Sequence, residues 1–257
     1  MLKVYGSATT SSPTTRRRPL SERTRLEGRQ RWNGLLFLHW ALPPESVRPT
    51  VPEELPLDLR DGMAWVGIVA FDIAGARPPL LPGALGLDFF ETNTRTYVRL
   101  PDGDPGVGFY ALDASSRVAV RGARLAYGLP YFPARMSRGR EGETEVYRTA
   151  RAVPGAPGLD VRYQTGNPLG TAAPGSLEEF LVERYVLHTV TDGEVRSVRV
   201  RHRPYSLREV AVESVSEGLL AATGLARPSE PPLAHFSDGV DVEVLRVLRP
   251  AGLGAPA

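Results

Sequence analysis

Glycine and proline interrupt this chain too often for it to form long helices. There are 26 glycines and 24 prolines among 257 residues, and both residue types bend or end regular helices. Between them lie short runs rich in valine, leucine, isoleucine and aromatic residues, a pattern typical of β-strands. We therefore expect a mainly β protein with a few short helices, and not a helical bundle, a coiled coil or a solenoid.

Nine strands are predicted from these runs, and a tight hairpin turn at Asp192 and Gly193 joins two of them. The predicted strands cover residues 34–40, 64–71, 92–99, 106–112, 117–127, 145–152, 185–191, 195–202 and 240–247. No repeat and no linker-like break follows residue 31. These features predict a single domain over residues 32–257, folded as a closed or nearly closed antiparallel β-barrel.

Two capping boxes predict short helices. Ser176 with Glu179 precedes an apolar stripe, and Ser214 with Glu217 opens a second segment that should stop at Gly224. A further helical turn is expected over residues 44–51, after the first strand.

The positive charge is concentrated at the amino terminus. The chain carries a net charge of +2, whereas residues 1–31 hold eight basic and two acidic side chains, so residues 32–257 carry −4. Residues 1–31 have few apolar side chains, and we expect a disordered basic tail there. A basic tail on a mildly acidic domain does not suit nucleic acid, so no nucleic-acid partner is expected.

Composition excludes several other classes of site. Cysteine is absent, which removes disulfides, thiolate metal sites and cysteine nucleophiles. The longest apolar run, residues 63–71, is about half the length of a membrane-spanning helix. We therefore expect a soluble, cytoplasmic protein without a membrane partner. No phosphate-binding loop or nucleophile elbow is present, and no cofactor is expected.

Residues 91–99 form the most informative predicted strand. Because side chains alternate between the faces of a strand, one face carries polar groups and the other carries Thr92, Thr94, Thr96 and Val98. The polar face carries Glu91, Asn93, Arg95, Tyr97 and Arg99. This face could be a solvated exterior. It could also line a cavity, because barrels of this size enclose ligand sites with a few convergent polar groups.

The four histidines show no metal-binding spacing, and no metal is expected. His39, between Leu38 and Trp40, is at least as suited to a satisfied core position as to a ligand site. His202 precedes a proline-fixed turn, where a position at the rim of a cavity is plausible.

Residues 123–132 resemble the acetoacetate decarboxylase-like superfamily, because Arg124, Gly128 and Pro130 match its glycine-arginine-glutamate, glycine, aromatic, proline, lysine, lysine motif. Segments across residues 32–247, including 32–40, 91–97 and 202–205, are similar to a subgroup known only as a domain of unknown function. The resemblance implies a β-barrel with a central cavity, assembled into dimers or larger oligomers. It matches Glu91 to the family's cavity carboxylate, and Arg95 or Arg124 to its arginine.

The superfamily's two lysines are missing here. Tyr131 and Phe132 stand at those positions, and Lys3 is the only lysine in the chain. The decarboxylases form a Schiff base through a lysine of lowered pKa, and arginine cannot replace it because it stays protonated. Imine-forming decarboxylation is therefore excluded by composition.

Two functions follow from this sequence. The first is an acid/base enzyme, lyase or hydrolase-like, that binds a small organic acid or carbonyl compound. Glu91, Arg95 and Tyr131 would be its catalytic residues, and His39, Asn93, Tyr97, Arg124 and His202 would line the substrate site. The second is a non-catalytic binding or sensing protein that has kept the cavity. Both imply a small-molecule ligand, and a homo-oligomer is possible.

Overall fold

The computed structural model describes residues 24–247 except 102, 154 and 192, so the predicted turn at Asp192 lies outside the described residues. Within this part of the chain there are eleven strands and three short α-helices, and the mainly β prediction is confirmed. The strands are β1 (Thr24–Leu42), β2 (Ala64–Arg77), β3 (Leu87–Arg99), β4 (Pro105–Ala114), β5 (Tyr131–Glu141), β6 (Thr144–Arg151), β7 (Gly158–Gly170), β8 (Val186–Thr191), β9 (Glu194–Arg201), β10 (Leu207–Glu217) and β11 (Leu233–Val247). The helices are α1 (Pro44–Val47), α2 (Arg117–Tyr127) and α3 (Leu177–Val182).

The strands form one sheet that closes in a ring. Pairing runs from β1 through β7 to β10 and β11, and β11 pairs back onto β1. A second circuit leaves this ring through β8 and β9, because β8 pairs with β4 and β9 pairs with β11. The described structure is therefore two joined rings that share β1 to β4 and β11, and not one simple barrel.

The shared strands are covered on both faces, which gives the molecule two cores. Leu36 and Leu38 of β1 point into a first core with Tyr147 of β6. Their neighbours Leu35 and Phe37 point into a second core, together with residues of β2, β9 and α3. Because side chains alternate along a strand, a strand shared by two cores must be apolar at nearly every position.

β3 shows the same two-sided burial with polar residues. Every residue from Glu91 to Val98 is buried. On the first-core face Val98 packs among apolar residues, and the Thr92 hydroxyl donates to the Tyr147 hydroxyl at 3.2 Å. The opposite face, with Glu91, points into the second core.

Residues 117–127 are helical, so the strand predicted there is wrong. Ser116 caps the amino terminus of α2 by accepting a hydrogen bond from the Ala119 amide at 3.2 Å. Gly128 ends the helix at φ +65°. The helix is needed because β4 and β5 pair in parallel, and parallel strands require a crossover connection.

The helix predicted after Ser214 is also wrong. Ser214 and Glu217 belong to β10, which pairs antiparallel with β7, and only a 3₁₀ turn at Ala221–Thr223 follows it. The alternating exposure of β10 shows a strand with one face toward solvent. The helices expected at residues 44–51 and after Ser176 are present as α1 with its following 3₁₀ turn and as α3.

The first strand begins earlier than expected. Residues 24–31, placed in the tail by their composition, are the start of β1 and pair with β11. Ion pairs hold this polar segment: Glu27 lies 2.6 Å from Arg246, and Arg31 lies 3.1 Å from Asp241. Interstrand hydrogen bonds and these charges replace the apolar contacts that the segment lacks.

Among the described residues, no helix has the length and apolar character that crossing a membrane requires.

Candidate functional site

A cavity of about 350 Å³ opens within the second core, and we call it the central cavity. Glu91, Asn93 and Arg95 of β3 line it, together with Tyr131 of β5. Its other walls are apolar side chains of β1, β2, β4 and β9, one face of α2, and the charged residues Glu27, Arg29, Arg77 and Arg184. The three polar residues share one face of β3 because they are spaced two apart.

Glu91 lies beside a hydroxyl donor. Its carboxylate accepts a hydrogen bond from the Tyr131 hydroxyl at 2.8 Å, and its side chain is almost completely shielded from solvent. Burial raises the pKa of Glu91 to about 7, although Tyr131 and Asn93 oppose this by stabilising the ionised form. A carboxyl group with such a pKa can both accept and donate a proton near neutral pH.

A second buried carboxylate lies nearby on β4. Asp113 is 1% exposed and accepts a hydrogen bond from Arg151 at 2.7 Å. Its negative charge contributes to the raised pKa of Glu91. Tyr147 fixes the backbone at this point, since its hydroxyl donates to the Glu91 carbonyl oxygen at 3.0 Å.

Arg95 is a buried cation without an anionic partner in the described part of the chain. The residue is 8% exposed, and no described carboxylate lies within ion-pair distance of it. Its Nε has no hydrogen-bond partner, and its guanidinium lies 5.9 Å from the centre of the Phe37 ring. Burying an unpaired charge is costly, so Arg95 is suited to binding an anion that enters the cavity.

The carboxyl end of α3 helps to position Arg95. The Leu181 carbonyl oxygen accepts hydrogen bonds from Arg95 Nη2 at 3.2 Å and from the Tyr97 hydroxyl at 2.8 Å. Tyr97 is fully buried and shares the face of Arg95, but its hydroxyl is used by this contact and it does not line the cavity. Tyr97 therefore lies next to Arg95 but is separated from the cavity.

His39 also lies behind the site, and both of its ring nitrogens lack partners. The ring contacts Phe37 and Tyr97. Burial lowers the pKa of His39 well below its ordinary value, and the positive charge of Arg95 adds to this. Gly67 provides space for the ring, because a side chain at that position would overlap it. The imidazole is therefore neutral.

Two more residues predicted for the site, besides Tyr97 and His39, lie outside the cavity. Arg124 is exposed on α2, where its Nε donates to the Tyr131 carbonyl oxygen at 2.7 Å. His202 stacks between Tyr185 and Tyr205, with ring centres 4.7 and 4.6 Å away. Of the two arginines that the resemblance offered, Arg95 lines the cavity and Arg124 does not.

The sequence reasoning missed one wall of the cavity. Small residues of α2 line it, namely Ala119, Gly122, Ala123 and Ala126. They recur at the three- and four-residue spacing of a helix face, a signal that the strand prediction for this segment obscured. Tyr205 also lines the cavity; it belongs to the segment 202–205 that carries the family resemblance, but the resemblance gave it no role.

Metal binding finds no support in this geometry. Nowhere in the described ranges do three His, Asp or Glu side chains gather closely enough to hold an ion. Tyr131, which the sequence resemblance places at the position of the superfamily's first lysine, donates a hydrogen bond from its hydroxyl to Glu91.

The fold is that of the acetoacetate decarboxylase-like proteins. The enduracididine biosynthesis enzyme MppR, complexed with pyruvate, matches with a TM-score of 0.59 at 14% identity, covering 89% of this chain and 93% of that one. Acetoacetate decarboxylase from Legionella pneumophila matches with a TM-score of 0.58 at 13% identity, covering 87% of each chain. An acetoacetate decarboxylase-like enzyme from Sphingomonas wittichii RW1 gives 0.57 at 13% identity, covering 88% and 94%.

Within this class the chain belongs to the DUF2071 family, described as an uncharacterized conserved protein, which it matches over residues 29–241. It is 35% identical over 217 residues to the uncharacterized protein YqjF of Bacillus subtilis (strain 168), covering 83% of this chain and 88% of that protein. The resemblance seen in the sequence is therefore confirmed.

Proposed function

We propose that this protein binds a small organic acid with a carbonyl group in the central cavity and catalyses proton transfer on it. The observation that carries this proposal is the pairing, within one cavity, of an unpaired buried cation with a carboxyl group that titrates near neutral pH. MppR, which shares the fold, is known in complex with pyruvate, a carboxylic acid of this type.

The chemistry needs no covalent intermediate. Arg95 binds the carboxylate of the ligand, because a guanidinium offers it several hydrogen-bond donors. Glu91, when ionised, removes a proton from the carbon next to the carbonyl; when protonated, it donates a proton to the carbonyl oxygen. The Tyr131 hydroxyl orients the Glu91 carboxyl through their hydrogen bond.

Calorimetric titration with pyruvate tests this proposal. A bound anion beside Glu91 favours its protonated form, so the Kd should rise as the pH increases above about 7, by at most about tenfold per pH unit. Glu91→Gln should remove this pH dependence. Arg95→Met should weaken binding at least about tenfold, whereas Arg148→Met, which removes a half-exposed arginine paired with Asp160, should leave it unchanged.

Catalysis is tested by exchange of the pyruvate methyl protons in deuterated water, followed by NMR. Exchange that depends on Glu91 supports the enzyme. Binding without exchange would overturn the catalytic part and leave a binding protein, and an equal affinity of Arg95→Met and the native protein would overturn the proposal. Borohydride should trap no adduct within residues 32–257, because no lysine lies there.

A further inference from the structure

Three polar residues of β3 lie at the deep end of the central cavity, whereas charged side chains of β1 and β2, among them Arg29 and Arg77, line its outer end. Along one face of β3 the side chains are Leu87, Phe89, Glu91, Asn93 and Arg95. Leu87 is 39% exposed and Phe89 is half-buried, whereas the three polar residues are buried. The face therefore runs from an apolar, accessible end to a polar, enclosed end.

The neighbouring strands extend this apolar part. On β2, Ile73 lies opposite Phe89 and Phe71 lies opposite Glu91, and both line the cavity. Trp32 of β1 packs on Phe71 with a ring separation of 5.3 Å. A ligand whose polar group reaches Arg95 must thus pass between apolar and aromatic side chains.

The helix α2 leaves space over this passage. The residues that it turns toward the cavity carry either a methyl group or no side chain. A Cβ atom added at Gly122 would meet nothing within 4 Å. Among the described side chains of α2, those that line the cavity are no larger than a methyl group, although an empty apolar passage has no stabilising contacts of its own.

The volume is also large for a three-carbon acid. At about 350 Å³, it falls in the range of about 300–1,000 Å³ that is usual for pockets binding drug-sized ligands. Arg95 and Glu91 would contact the carboxylate and the carbonyl of such an acid. Most of the apolar wall would then contact no part of the ligand.

We infer that the natural ligand is amphiphilic: an oxo acid whose carboxylate contacts Arg95 and whose apolar tail extends past Phe89 and Ile73 beneath α2. This inference rests on the proposed function and adds the chemical class of the ligand. Burial of the tail provides affinity through the hydrophobic effect, and the polar end fixes the orientation.

A series of unbranched 2-oxo acids tests the tail. Phe89 lies six residues from Arg95 along β3, about 20 Å away at about 3.3 Å per residue, so the series runs from pyruvate through 2-oxohexanoate to 2-oxododecanoate. The Kd should fall by about threefold to fourfold for each added methylene, until the tail fills the cavity. Phenylpyruvate in the same assay distinguishes an aromatic tail from an alkyl one. Methyl esters of the same acids should bind at least about tenfold more weakly, since they lack the charge for Arg95.

Variants of α2 provide the matched controls. Gly122→Leu and Ala123→Leu place a side chain in the passage, so they should weaken the binding of 2-oxododecanoate at least about tenfold and change the affinity for pyruvate less than about twofold. Val118→Leu adds bulk to a position that does not line the cavity and is 67% exposed, and it should change neither affinity. Far-ultraviolet circular dichroism checks that each variant is folded.

The outcomes separate the two proposals. If pyruvate binds through Arg95 but longer acids bind no more tightly, or if both α2 variants leave their affinity unchanged, the amphiphilic ligand is refuted and the proposed function stands. If longer acids bind equally well to Arg95→Met, the orientation is refuted. If no acid of the series binds, both proposals fail together.

Discussion

At the scale of single residues, Glu91 should make the stability of the protein depend on pH. Its pKa is about 7 in the folded state against an ordinary value of 4.5, so between these values the folded state holds a proton that the unfolded state releases. The contribution of Glu91 to the free energy of unfolding of the protein therefore falls as the pH rises from about 4.5 to about 7.

Glu91→Gln removes this contribution and keeps an oxygen that can accept from Tyr131. The free energy of unfolding of the variant, measured relative to that of the native protein, should increase by about 2 kcal/mol from about pH 5 to about pH 8. Urea denaturation of both proteins at the two pH values measures this gain, and buried histidines cancel in the difference. A constant difference would contradict the raised pKa.

Arg95 leads to a second prediction about stability. A buried cation without an anionic partner costs free energy, and the Leu181 carbonyl keeps the Tyr97 hydroxyl as a donor if the arginine is removed. Arg95→Met should therefore stabilise the protein without added ligand, by about 1–3 kcal/mol. A lower melting temperature for Arg95→Met would instead show that the guanidinium supports the fold.

At the scale of elements, the join between β1 and β11 depends on Gly239. This residue lies opposite Asn33, has φ +139°, and a Cβ there would overlap the Trp32 carbonyl oxygen. Gly239→Ala should cost more than about 2 kcal/mol. Gly142→Ala is the control, since φ there is +65° with open space around it, and it should cost about 1 kcal/mol.

Local signals predicted some elements and misled on others. The capping box at Ser176 marks α3 correctly, because both of its hydrogen bonds are local. The same spacing at Ser214 fails, since pairing with β7 determines the structure of that segment. Residues 117–127 form a helix because the parallel pairing of β4 and β5 requires a crossover, and the small residues at helical spacing and the cap at Ser116 were local signals for it.

At the scale of the whole molecule, the alternation of β3 indicated which residues share a face, but it could not show which face meets a cavity. Glu91, Asn93 and Arg95 line one side as a set, as the period of two requires. Thr92 and Thr94 are equally buried on the other, because two circuits of strands share β3. That Arg124 and His202 lie outside the cavity likewise follows from how the elements pack together, which the order of residues along one strand does not show.

The closure of the ring gives a prediction for the whole chain. Residues 24–30 of β1 pair with β11 and with β2, and residues 27–30 also line the central cavity. Removing residues 1–30 should therefore shorten the pairing of β1 with β11, which residues 31–39 would keep, and lower the melting temperature by more than about 4 °C relative to removal of residues 1–23. The longer deletion should also weaken binding of 2-oxododecanoate more than binding of pyruvate, because the wall that it removes, residues 27–30, lies at the outer end of the cavity, away from Arg95. Calorimetric melting of the two truncated proteins, with titrations of both acids, checks this; equal melting temperatures would show that the pairing of residues 24–30 adds nothing to the closure of the ring.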